Sequence, residues 1–203
     1  MNPSLDRILV FGASGRTGRR VVREALARGL RVAVFVRDVA KAPDGVDVHV
    51  GDVRDPEAVR AAVRAGDRVI ATLGGEGMGE GARTLVTAAR ANGAVRVLAV
   101  TGAGVLQLDA THQRHEAPDY PPQFRAVSAE HRAVHEALAG SGLSWAIVAT
   151  PQLVDADPTG ALLREPDYLP AGSGAVTTGD VAALLVDEAV RPATEGRIGV
   201  NGR

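Results

Sequence analysis

Near the start of the chain, one seven-residue stretch, Gly12-Ala13-Ser14-Gly15-Arg16-Thr17-Gly18, sits between an apolar run and an amphipathic segment. The run before it, Arg7-Ile8-Leu9-Val10-Phe11, reads as a buried strand. The segment after it, Thr17 to Arg28, carries Val21, Val22, Ala25 and Leu26 at helical spacing. Few folds pass from strand to helix through such a turn. Gly12 permits the tight turn, Gly15 lets backbone approach a pyrophosphate, and Gly18 lets the helix pack close to the strand. The helix N-terminus then offers unpaired N–H groups and a positive dipole end to phosphate. The spacing is G-x-x-G-x-x-G, and a chain with 24 glycines produces such patterns by chance. Its place between strand and helix gives it weight, as the phosphate-binding corner of a Rossmann unit.

The rest of the chain repeats the alternation. Strands are expected at Arg31–Val36, Val46–Val50, Arg68–Leu73, Arg96–Val100 and Ser144–Ala149. Helices are expected from Pro56, with Asp55 as N-cap, over Glu80–Ala91 and over Gln123–Ala139. Thr178 is expected to cap a last helix over Val181–Val190, and Ile198 to mark a final edge strand. Two long irregular pieces, Leu106–Pro122 and Leu153–Gly174, interrupt the pattern; loops of that length in a compact domain are usually functional. At 203 residues the chain fits one domain, 1–203. The expected fold class is therefore α/β, a single-domain Rossmann fold with a doubly wound parallel sheet and helices on both faces. Ligands in such sheets bind beyond the carboxyl ends of the strands, so the substrate pocket is expected from loops 74–80, 101–122 and 150–176.

Composition removes whole classes of function. A net charge of −1 and 3% aromatic residues lack both the electrostatic footprint and the stacking platforms of a nucleic-acid binder. There is no cysteine, which excludes disulfides, thiolate nucleophiles and Cys-based metal sites. No signal peptide or membrane-spanning apolar run is read, and a soluble cytoplasmic protein is the default expectation. Lys41 is the only lysine. There is thus no G-K-[ST] phosphate loop, and Lys41, in a polar loop, is no Schiff-base lysine.

The same lysine count bears on cofactor and chemistry. A carboxylate about 20 residues beyond the glycines accepts from an NAD ribose, whereas an arginine there accommodates the 2′-phosphate of NADP. Arg37 lies nineteen residues past Gly18, at the end of the second strand, and Arg16 could close on the phosphate from the other side. Asp38 could serve an NAD ribose instead; NADP is favoured. The acceptor at Asp52 could take the adenine amino group. Reductases on this unit often use a Tyr-x-x-x-Lys pair as proton donor, and this chain has none. A reduction here should favour a conjugated acceptor that takes hydride and then a proton from water. His131 and His135 have metal-binding spacing, but no Glu follows the first and no third ligand is evident; no metal is expected. Ser14 and Ser128 lack a G-x-S-x-G context, which disfavours a serine hydrolase.

Several pieces run in order along the chain: Phe11 to Gly18, Val36-Arg37-Asp38, Gly51-Asp52-Val53, Glu80-Gly81-Ala82-Arg83, His131-Arg132-Ala133-Val134-His135 and Ser141-Gly142-Leu143. In these the chain resembles the atypical short-chain dehydrogenases, most closely the flavin reductase/biliverdin reductase B type. The resemblance implies NADP, with NADPH preferred over NADH, held by Gly12, Ser14, Gly15, Arg16, Thr17, Gly18, Arg37, Lys41, Asp52 and Val53. It implies nicotinamide contacts from Leu73, Gly74, Thr101, His131 and Pro151, with Thr101 the catalytic candidate. Substrate contacts are expected from Gly102, His112, Phe124 and Gln152; the family's serine and histidine are replaced here by Gly102 and Gln152. The implied activity is hydride transfer from NAD(P)H to a planar conjugated acceptor such as flavin, biliverdin or a quinone. The alternative is a non-catalytic NADP(H) sensor resembling the NmrA-like regulators. The expected partner is a small-molecule substrate, without nucleic acid or membrane, for a monomer or weak homo-oligomer.

Overall fold

The computed structural model describes residues 7–203. Its elements run β1 (Arg7–Phe11), α1 (Arg16–Ala27), β2 (Arg31–Val36), β3 (Asp47–Val50), α2 (Pro56–Ala62), β4 (Arg68–Ala71), α3 (Met78–Asn92) and β5 (Arg96–Gly102). There follow α4 (Arg125–Ala139), β6 (Trp145–Thr150), β7 (Leu153–Val154), β8 (Leu162–Pro166), β9 (Val176–Thr177), α5 (Thr178–Val190) and β10 (Gly196–Gly202). Eight strands form one sheet in the order β3-β2-β1-β4-β5-β6-β10-β8. All pairings are parallel except β10 with β8. β7 and β9 form a separate parallel pair.

Each central strand is an uninterrupted apolar run because both faces are covered, as parallel sheets require. Ile8 and Val10 pack with Val21, Val22 and Ala25 of α1 and with Val181, Leu184 and Leu185 of α5. Leu9 and Phe11 face the opposite cluster, with Val59 of α2, Leu85 of α3 and Leu138 of α4. The doubly wound arrangement follows from these two cores. Strand order reverses between β1, which continues outward to β2, and β4, whose neighbours lead to β5. The reversal leaves a crevice at the carboxyl ends of these strands, the usual ligand position in such sheets.

The opposite, amino-terminal end of the sheet is closed by ion pairs. Buried Arg7 donates from Nε to Asp67 at 2.9 Å and from Nη2 to the carbonyl of Ala62 at 2.7 Å. Buried Arg96 pairs with Glu188 at 3.2 Å. These contacts lie a full strand length from the crevice and hold the scaffold.

Two expectations are corrected. The N-cap of α5 is Thr177: its hydroxyl accepts from the N–H of Asp180 at 2.9 Å and donates to Oδ2 of the same residue at 2.8 Å. Thr178 is drawn away from capping, because its hydroxyl donates to Asp155 at 3.1 Å. The strand at Ile198 is not an edge. β10 runs between β6 and β8, and Leu162-Leu163-Arg164-Glu165-Pro166, read as irregular, is the antiparallel edge. That segment ends in proline and is half exposed, which edge strands tolerate and which hides it from a periodicity reading.

Candidate cofactor cleft and acceptor site

The glycine turn is built by close backbone approach. Gly12 has φ +77°, and a Cβ there would lie 2.5 Å from the Thr72 carbonyl oxygen. Thr72 in turn donates from its hydroxyl to the carbonyls of Phe11 (3.0 Å) and Gly12 (3.2 Å), fastening the turn to the exit of β4. At Gly18 a Cβ would lie 2.1 Å from the Gly12 oxygen, so bare backbone is what lets α1 seat on the turn. Gly15 is less crowded, with its nearest contact at 3.2 Å. Its missing side chain therefore keeps open the space in front of the helix.

No side chain caps α1, and its first turn carries no acidic residue. The amides at its start are left for a ligand of opposite charge. Ser14, Gly15, Arg16 and Thr17 line a cleft of about 470 Å³ together with Arg37, Asp52, Val53, Leu73 and Gly74. That volume lies in the range of ligand sites, and these residues suit a dinucleotide. Gly12 is also in the lining; Gly18 is buried behind it.

At the end of β2, Arg37 and Asp38 have separate tasks. Arg37 lines the cleft. Asp38 accepts from the N–H of Ala40 at 3.0 Å and caps the short turn Val39–Lys41. Lys41, at the end of that turn, is exposed and outside the cleft lining. Asp52 is forked by Arg54, which donates to it from Nε at 2.9 Å and from Nη2 at 2.8 Å. The Arg54 side chain and its backbone N–H hold the Asp52 carboxyl well below the usual carboxylate range.

A second group of polar residues is organised around the exit of β5. Thr101 is 2% exposed, and its hydroxyl has no hydrogen-bond partner among the described residues. Such an orphaned buried hydroxyl calls for water or ligand. The next residue, Gly102, donates its N–H to Nδ1 of His131 at 3.0 Å. Burial lowers the His131 pKa below the ordinary imidazole value. His131 is thus neutral, and because Nδ1 accepts, its proton sits on Nε2. The preceding residue on α4, Glu130, accepts from the N–H of Gly79 at 2.8 Å and of Gly77 at 3.3 Å. Those two bonds lower its pKa and neutralise the open start of α3. One pair of neighbours on α4 therefore anchors both the loop before α3 and the exit of β5.

Further along, the long loop is docked onto the same helix. The Tyr120 hydroxyl and Ser128 Oγ lie 2.5 Å apart, and His115 Nδ1 donates to the Gly104 carbonyl at 3.0 Å. The other expected substrate residues are exposed. His112 is exposed, with its N–H and Nδ1 bonded to Asp109 at 2.9 and 3.0 Å. Phe124, immediately before α4, is half exposed, and Gln152 is exposed beyond β6, next to partly buried Pro151. His135 does not join His131 but lies against Trp145, ring centres 5.8 Å apart. Arg54, Glu130, Tyr120 and Ser128 were missed by sequence reasoning. Only Arg54, two residues from Asp52, left a local signal; the partners of Glu130 lie 51 and 53 residues away.

Fold and cleft together define a nucleotide-binding Rossmann domain. The chain belongs to the NAD(P)H-binding family whose model matches residues 12–192. It is 30% identical over 202 residues to an NAD(P)H azoreductase of Xenophilus azovorans, covering 94% of this chain and 65% of that one. It is 34% identical to a 3-diazoavenalumate denitrifying reductase of a Streptomyces species, covering 91% and 69%. The chain thus spans about two thirds of these relatives. Among solved structures, ChuY, an anaerobilin reductase from Escherichia coli O157:H7, superposes with a TM-score of 0.82 at 27% identity, covering 97% of both chains. An NADH-flavin reductase candidate from Streptococcus pneumoniae shares the fold at a TM-score of 0.86 and 22% identity, covering 98% and 100%. Among the described residues no helix is long and apolar enough to cross a membrane.

Proposed function

We propose that this chain is an NAD(P)H-dependent reductase that passes hydride to a planar conjugated small molecule, the proton coming from solvent. The observation that carries the reading is the uncapped start of α1 opening into the same cleft as Arg37. When bound, the reduced nicotinamide supplies the hydride. The backbone around Gly15 would hold the pyrophosphate, with Arg16 and Thr17 beside it. Arg37 favours NADPH over NADH, and Asp38, committed to its own turn, no longer competes for a ribose. Lys41 would have to swing toward the 2′-phosphate to assist.

At the other end, Leu73, Gly74, Thr101, His131 and Pro151 would surround the nicotinamide, and Gly102, Phe124, His112 and Gln152 the acceptor. His131 Nε2–H is a hydrogen-bond donor there and not an acid, since the ring is neutral. The Tyr120 hydroxyl is engaged with Ser128, and Lys41 lies outside the cleft, so no Tyr–Lys pair operates. A conjugated acceptor, whose reduced form is protonated by water, suits that lack. The azoreductase, the denitrifying reductase and the anaerobilin reductase are named for acceptors with such nitrogen-containing unsaturation. We take the protein to act in the cytoplasm as a monomer or weak homo-oligomer, without nucleic-acid or membrane partners.

The test is oxidation of NADPH and NADH, followed by loss of the reduced-nicotinamide absorbance, with FMN, riboflavin, biliverdin, a quinone and an azo dye in parallel. Turnover with any acceptor, faster with NADPH, supports the reading. Tight NADPH binding with no turnover on any of them would mark a dinucleotide sensor instead.

A further inference from the structure

Arg54 takes no part in the phosphate corner, yet its side chain bridges the two walls of the cleft. On one wall its guanidinium is forked onto Asp52, and its backbone N–H also donates to that carboxylate at 2.9 Å. On the other wall its stem lies over Gly77: Cδ is 3.4 Å from where a Cβ on that glycine would stand. Glu76 and Glu80, on the same side as Gly77, add attraction for the cation. Arg54, Asp52 and Gly77 all line the cleft.

An ion pair as exposed as this one, 54% and 37% for its two side chains, adds little to stability. Its geometry does something else. A bidentate fork fixes the plane of the guanidinium, and a fixed guanidinium plane is a stacking surface for an aromatic ring. A carboxylate has about four lone-pair positions. The fork and the backbone N–H use three, leaving one on Oδ2 for an exocyclic amine. In a dinucleotide whose pyrophosphate rests on α1, the group reaching the exits of β2 and β3 is adenine. Asp52 also offsets the Arg54 charge, which leaves recognition of a 2′-phosphate to Arg37.

We propose that Arg54 is a cofactor-binding residue, its Asp52-held guanidinium forming the platform on which the adenine of the dinucleotide stacks. The inference rests on the dinucleotide reading above. It assigns a side chain that contributes shape and a π-stacking face to both NADH and NADPH, without discriminating between them.

The experiment is calorimetric titration of the full chain with ADP-ribose, 2′-phospho-ADP-ribose and reduced nicotinamide mononucleotide, comparing wild type with Arg54→Ala and Arg54→Lys. Thermal denaturation of each variant checks its folding. Stacking predicts that both variants lose roughly three- to thirtyfold in affinity for the two adenine-containing probes, by the same factor for each. Affinity for the mononucleotide should be unchanged. Lysine keeps the charge and loses the plane, so it does not rescue. Unchanged affinity in both variants, rescue by lysine, or a loss confined to the 2′-phosphorylated probe would each overturn the proposal. If wild type itself binds neither adenine probe, the dinucleotide reading fails, a result separate from any effect of Arg54.

Discussion

The N–H of Gly102, last residue of β5, donates to Nδ1 of His131 on α4 across 3.0 Å, and a Cβ on Gly102 would lie 2.8 Å from that same nitrogen. The imidazole therefore occupies the space a side chain at position 102 would fill. Gly102→Ala must push His131 aside and break the bond. Overpacking of this kind costs about 1–3 kcal/mol, so urea denaturation should show a loss in that range. NADPH oxidation should fall about tenfold or more, because a 1.4 kcal/mol misplacement is already a factor of ten. Nitrogen-15 shifts of the imidazole report the bond directly: the Nδ1 signal of a hydrogen-bond acceptor in wild type should be lost in the variant.

His131 also sets a pH dependence. Burial is the main cause that lowers its pKa below the ordinary value, with Glu130 opposing. The unfolded chain therefore binds more protons than the native one over the interval below the ordinary imidazole pKa of about 6.5. Stability from this residue is fully present above that value and is lost as pH falls through the folded pKa. His131→Gln, which retains an acceptor for the Gly102 N–H and does not titrate, should flatten that part of the stability profile. A midpoint for His131 at or above the ordinary value in an NMR titration would contradict the buried, accepting imidazole.

Arg37 and Asp38, neighbours in sequence, should separate cleanly. Arg37 lines the cleft, and Asp38 accepts from Ala40. Removing a charged hydrogen bond is worth about 1.5–3 kcal/mol, so Arg37→Ala should weaken NADPH roughly ten- to a hundredfold and leave NADH nearly unchanged. Asp38→Ala loses a cap, about 0.5–2 kcal/mol of local stability, with no change in the NADPH/NADH ratio. If Asp38→Ala instead weakens NADH selectively, the carboxylate serves a ribose.

What could be read in the sequence divides along the distance over which an interaction acts. β1 and β2 run over the same residues as expected, and the helix boundaries of α1 and α3 moved by one or two residues, because apolar runs and glycine stops are local signals. The glycine turn was legible for the same reason: Gly12, Gly15 and Gly18 act within one turn. Contacts that cross the fold were not. Nothing near Glu130 announces that it caps α3, and nothing near Ile198 announces that Leu162–Pro166 will cover its strand. At His112 the structure adds a local partner, Asp109 three residues away, to the substrate contact expected from its place in a long loop. Local motifs build the glycine turn, whereas the polar groups around the exit of β5 are brought together by α4 and the loops that pack on it.

The two glycines at the start of α1 make the last prediction, because they look alike in sequence and differ in crowding. A methyl at Gly18 would meet the Gly12 carbonyl oxygen at 2.1 Å, with Ala13 Cα at 2.8 Å. Both are backbone and neither can yield without moving α1 off the sheet. Gly18→Ala should therefore cost stability severely, about 3 kcal/mol or more, as overpacking against a rigid neighbour does. A methyl at Gly15 meets only the Gly12 oxygen, at 3.2 Å, and φ at that residue is −77°, which alanine adopts freely. Gly15→Ala should fold with nearly native stability and lose NADPH affinity, because the methyl stands where the pyrophosphate must approach the uncapped amides of α1. Thermal denaturation and NADPH titration on the two variants separate the effects. A stable Gly15→Ala that binds NADPH as wild type does would remove the pyrophosphate from this turn, and a stable Gly18→Ala would show that α1 can shift without loosening the fold.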